Sequence, residues 1–103
     1  MDNIPTSFSL GGTTYSVKLS NVRPEGIRND TTGHVCYPTN TIEIFTNHTG
    51  FTCTESYKEL SFYHELVHVI FSTMGKEDLS GNEELIEGFA NLLHQFIKTS
   101  KYE

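Results

Sequence analysis

Two histidines four residues apart, with a glutamate directly after the first, form the segment His64-Glu65-Leu66-Val67-His68. On a helix, positions four apart lie one turn apart on the same face, so both imidazoles can reach a single ion. The glutamate lies alongside that face, within reach of a water on such an ion. The chemistry this pattern suits is metal-assisted hydrolysis, with Glu65 placed to take a proton from water. A catalytic zinc wants three protein ligands and one open position. Downstream, Asp78, Glu83, Glu84, Glu87 and His94 are candidates for the third.

These side chains need a helix to hold them. Thr52 with Glu55 three residues later is a capping-box pattern, and Gly75 is placed to stop the helix. Within that span Leu60, Tyr63, Val67, Ile70, Phe71 and Met74 share one face, and Phe62, Leu66 and Val69 a second. Between them runs one polar strip of Tyr57, Ser61, His64, Glu65, His68 and Ser72. A helix apolar nearly all round belongs between a sheet and another element. Ionisable groups in such a helix need a partner or a metal to offset their desolvation. Tyr57 and Tyr63 read as packing residues.

A polar linker, Lys76 to Asn82, leads to a second helix from about Glu83 to Lys98. Its apolar face, Leu85, Ile86, Phe89, Leu92, Leu93, Phe96 and Ile97, is expected to face the core. Glu83, Glu84, Glu87, Asn91 and His94 lie opposite. On periodicity alone Glu87 belongs in solvent. Two neighbours favour a site instead: Gly88 suggests that another backbone approaches closely, and Asn91 can hydrogen-bond a ligand imidazole or carboxylate.

Upstream the pattern is that of short strands. Phe8-Ser9-Leu10 and Tyr15 to Leu19 alternate around Gly11-Gly12, a hairpin signal. Arg23 to Gly33 reads as a loop. Val35-Cys36-Tyr37 and Thr41 to Phe45 read as strands joined by a turn at Pro38-Thr39-Asn40, and Thr46 to Thr54 as a polar connection. The fold class expected is α+β: a short, mostly antiparallel N-terminal sheet, then the site helix, then a ligand-bearing C-terminal helix.

His64-Glu65-Leu66-Val67-His68, eighteen intervening residues and then Glu87-Gly88-Phe89-Ala90 resembles the gluzincin metallopeptidase signature. In the gluzincin aminopeptidases a Glu-Gly-Phe-Ala segment at this spacing carries the third zinc ligand. The resemblance covers roughly residues 55 to 98 and implies a small zincin-like domain. It implies one Zn2+ held by His64, His68 and Glu87, with Glu65 as general base. Thermolysin-like members have an acid where Asn91 stands, which would polarise a ligand imidazole more strongly. The large C-terminal domain of the bigger members, which supplies a catalytic Tyr or His, has no counterpart in these 103 residues. No oxyanion stabiliser is therefore implied; His94 is the candidate by position.

Overall the chain resembles the very small gluzincin-like proteins of phage and mobile-element genes. The implied activity is zinc-dependent hydrolysis of a peptide or protein substrate, lying extended along a sheet edge at Thr41 to Phe45. The alternative is a non-catalytic, metal-stabilised binding or regulatory module of similar origin. Structural zinc sites usually have four ligands rich in Cys, so a set that leaves a position open favours catalysis.

Composition narrows the rest. The length of 103 residues suits one domain spanning residues 1–103. Thirteen acids against seven bases, a net charge of −6, argue against nucleic acid as partner. No run is long and apolar enough for a membrane span, and Met1 to Leu10 shows no secretion signal, so a cytoplasmic location is expected. Cys36 and Cys53 lack metal-site spacing and read as free thiols. Two sequons, at Asn29 and Asn47, read as chance matches in polar loops. Oligomeric state is not legible.

Overall fold

The computed structural model describes residues 3–102. Strands β1 (Ser7–Leu10) and β2 (Thr13–Ser20) form a hairpin closed by Gly11-Gly12, whose φ angles are 58° and 82°. A two-residue turn of this hand needs positive φ at both positions, which glycine adopts without steric cost. After the loop at 21–32 come β3 (Gly33–Cys36), a 3-10 turn at Tyr37–Thr39 and β4 (Thr41–Phe45). Tyr37 thus leaves the strand for the turn, which ends on a left-handed Asn40, φ 50°.

The sheet order is β1-β2-β4-β3, with β4 parallel to β2 and the other neighbours antiparallel. Thr41 to Phe45 is therefore an interior strand, not the edge expected from its sequence. The tight turn at 37–40 folds β3 back onto β4 and makes Gly33–Cys36 the edge. The outer face is covered as well. Arg23 donates to the carbonyls of Thr31 and Asn47, each at 2.7 Å, and lies 4.6 Å over the Phe45 ring. Ile42, Glu43, Ile44 and Phe45 are all buried as a result.

Inside the expected polar connection sits a minute hairpin, β5 (Asn47–His48) with β6 (Phe51–Thr52). Helix α1 (Glu55–Thr73) is capped by Thr54, whose hydroxyl accepts from the Tyr57 amide at 3.2 Å. Thr52 is in β6 and caps nothing, so the capping residue lies two positions beyond the one the sequence pattern marked. At the other end Gly75, φ 76°, terminates α1 as expected. The Lys76 and Gly75 amides donate back to the Phe71 and Ser72 carbonyls, a Schellman closure. The linker contains one helical turn, α2 (Glu77–Ser80), and α3 (Glu83–Thr99) is capped by the Asn82 side chain.

The molecule is a small α+β domain: a mostly antiparallel N-terminal sheet followed by two long helices, with three helices among the described residues. Helix α1 touches β3 and β4 on one side and α3 on the other, the sandwiched position its apolar circumference required. Tyr15, Ile42, Ile44, Phe62, Val67, Val69, Ile86 and Ala90 form the centre of the core.

Helix α3 is turned differently from its hydrophobic wheel. Only Ile86 and Ala90 are buried, with Leu93 packed beside them, while Leu85, Phe89, Leu92, Phe96 and Ile97 remain exposed. The inward stripe is shifted toward the polar side, so that Glu83 and His94 meet α1. The physical reason lies on α1: its buried Glu59 and its two site histidines need polar partners, and α3 supplies them. Among the described residues, no helix is long and apolar enough to cross a membrane.

Candidate metal centre

His64 and His68 stand one turn apart on α1, their rings 5.0 Å between centroids. The N-cap Asn82 starts α3 so that Glu83, its first residue, faces both rings. Glu83 Oε1 lies 3.1 Å from His64 Nε2, and Oε2 lies 3.3 Å from His68 Nε2. One donor atom each from His64, His68 and Glu83 falls within a common 4.8 Å.

The outer nitrogens are also engaged. Ser80, on α2, has its hydroxyl 3.1 Å from His68 Nδ1 and directs it to the His68 carbonyl at 3.5 Å. A His68 ring protonated at Nδ1 would donate to the Ser80 oxygen. This tautomer leaves the Nε2 lone pair toward Glu83. Burial lowers the His68 pKa, with the Glu83 charge acting in the opposite direction, and so favours the neutral ring that a metal needs. His64 Nδ1 lies 3.5 Å from Glu87 Oε1. Two imidazole nitrogens and a carboxylate thus converge as electron-pair donors, a set that only a proton or a metal cation reconciles.

Glu65 sits behind this group. It is 7% exposed, and burial pushes its pKa up to about 7, opposed by the nearby His64 and His34 and reinforced by Glu83. Gly33 on the edge strand packs beside it. A Cβ at Gly33 would lie 2.9 Å from the Glu43 carbonyl oxygen and 3.4 Å from Glu65 Cγ. Together Gly33, His34, His64, Glu65, His68 and Glu83 line a cleft of about 420 Å³. His34 is held by Glu43, Nε2 to Oε1 2.9 Å. Burial alone would raise the Glu43 carboxyl, but the His34 hydrogen bond and the Lys18 charge bring it below the usual range.

Of the residues marked in the sequence, His64, Glu65 and His68 come together in this cleft. Glu87 stands one turn beyond Glu83, on the far nitrogen of His64, in a smaller adjoining hollow with Tyr57 and Ser61. Asn91 donates to the Glu87 carbonyl of its own helix at 2.8 Å. Among the described residues nothing lies within 4 Å of where a Gly88 Cβ would be, so the close backbone approach expected there is not found among them. His94 points away from the cleft, 3.0 Å from Glu59 Oε1 and against Tyr63. Tyr63 is a buried packing residue, whereas Tyr57 is partly exposed, edge-on to His48.

Sequence reasoning missed Ser80, Gly33 and His34, the partner of Glu43. None carries a local signal, because strand register and the α2 turn bring them in. No family model, curated protein or solved structure matches the chain.

Proposed function

We infer that the protein is a zinc-dependent peptidase, with His64, His68 and a carboxylate from the start of α3 as ligands and Glu65 as general base. The observation that carries this reading is the convergence of three donor atoms beside the buried Glu65 carboxylate in an open cleft. The geometry favours Glu83 as the third ligand. Glu87, which the gluzincin resemblance implies, is the other candidate and otherwise orients His64 through Nδ1.

When bound, zinc would supply Lewis-acid activation of water and of the scissile carbonyl. The chain's own residues do the rest. Ser80 holds His68 at Nδ1, and Glu65 takes a proton from water and passes it to the leaving amine. The edge strand β3 forms one wall of the cleft, where an extended peptide can add its backbone to free strand groups.

The test is Glu65→Gln, assayed with zinc against an unstructured protein substrate. Hydrolysis should vanish while zinc stays bound. A wild-type chain that binds zinc but cleaves nothing would support the metal-stabilised binding module instead, and a variant as active as wild type would remove Glu65 from the mechanism.

A further inference from the structure

The outward face of α3 carries Leu85, Phe89, Leu92 and Phe96, which are 36%, 47%, 68% and 60% exposed. Their 4-3-4 spacing forms one continuous seam on a helix, the pattern of helices that pair along their length. We propose that this seam joins two copies of the chain in an antiparallel, two-fold symmetric helix pair.

The order of residues along the seam selects that partner. Running Leu, Phe, Leu, Phe, it complements itself when reversed. Leu85 of one copy then meets Phe96 of the other, and Phe89 meets Leu92. Every layer joins one large and one medium side chain, as uniform packing requires. A parallel pairing would stack Phe on Phe and Leu on Leu.

Charge points the same way. The first turn of α3 holds the exposed Glu84, and the exposed Lys101 lies just past its last turn. Antiparallel copies bring acidic ends to basic ends and oppose their helix dipoles; parallel copies align like with like. Gly88 also acquires a physical reason. It weakens the helix, and it faces open space beside the seam, where its bare backbone leaves room for the other copy. A membrane surface is the poorer occupant, because a surface-lying helix carries Lys and Arg on its polar face, whereas this one carries Glu83, Glu84 and Glu87.

Sedimentation velocity on the full chain tests the pairing, with mass read against the 11.6 kDa monomer. The wild type should run at twice that mass. Leu92→Glu should raise the dissociation constant by about 100-fold, since the change enters the interface twice, and leave the helical circular dichroism unchanged. Leu85→Lys and Phe96→Glu should each give a monomer. The double variant should restore the dimer, because only the antiparallel register sets the introduced lysine of one copy against the introduced glutamate of the other. A monomeric wild type overturns the proposal, as does a dimer that Leu92→Glu leaves intact. A double variant that stays monomeric overturns the register. Wild-type monomer that instead co-sediments with phosphatidylcholine–phosphatidylserine vesicles assigns the face to membrane and also overturns it.

Discussion

Glu59 on α1 and His94 on α3 face each other across the helix interface, Oε1 to Nε2 3.0 Å, with the carboxylate only 3% exposed. Lys98 and Asn3 reach the same carboxylate at 3.2 and 3.1 Å. This pair rotates α3 about its axis, away from the orientation its apolar face would choose, and the same rotation delivers Glu83 to the site histidines.

Removing the anchor should therefore loosen both. Glu59→Ala leaves a buried ring and an ammonium without their acceptor and should cost about 2–4 kcal/mol, read by urea denaturation. Zinc affinity should fall in parallel, because Glu83 loses its placement.

The same carboxylate sets an acid limit. Burial pushes its pKa up, but the bonds from His94, Asn3 and Lys98 outweigh this and hold it below the ordinary 4.5. A depressed carboxylate stabilises the fold above that ordinary value and loses its contribution as pH falls through the lowered one. Stability of the wild type should drop steeply below about pH 4.5, and Glu59→Gln should flatten that limb. An unchanged acid limb in the variant would assign acid unfolding to other groups.

Gly33 should tolerate no side chain. Gly33→Ala forces a methyl against the Glu43 carbonyl and the Ile44 side chain, contacts that cannot be relieved by rotating one flexible end. A loss of about 1–3 kcal/mol is expected in thermal unfolding.

Asn82 links a helix cap to the site. Its side chain accepts from the Leu85 amide at 3.1 Å, directly before Glu83. Asn82→Ala should cost about 1 kcal/mol by denaturation and weaken zinc binding, whereas Thr54→Ala should cost a similar amount without touching the metal.

Much of this was legible from local pattern. The hairpin at Gly11-Gly12, the stop at Gly75, the buried nature of α1 and the placing of His64, Glu65 and His68 all follow from spacing and turn chemistry. What failed depends on distant partners. Periodicity groups Leu85, Phe89, Leu92 and Phe96 on one face, but it does not say where that face points; the buried Glu59 decided that. Glu43 makes Thr41 to Phe45 look half-exposed, yet it is central because β2 pairs with it in parallel and Arg23 closes over its outer face. For the third ligand, Glu83 and Glu87 are one turn apart on α3, and only the docking angle of α3 distinguishes them.

The most direct measurement is calorimetric titration of zinc into metal-free wild type, Glu83→Ala and Glu87→Ala at neutral pH. One ion per wild-type chain is predicted, with affinity lost by more than about 100-fold in Glu83→Ala and about 10-fold in Glu87→Ala. The reverse ranking would move the ligand to Glu87. A wild-type chain that takes up no zinc would contradict the metal centre itself.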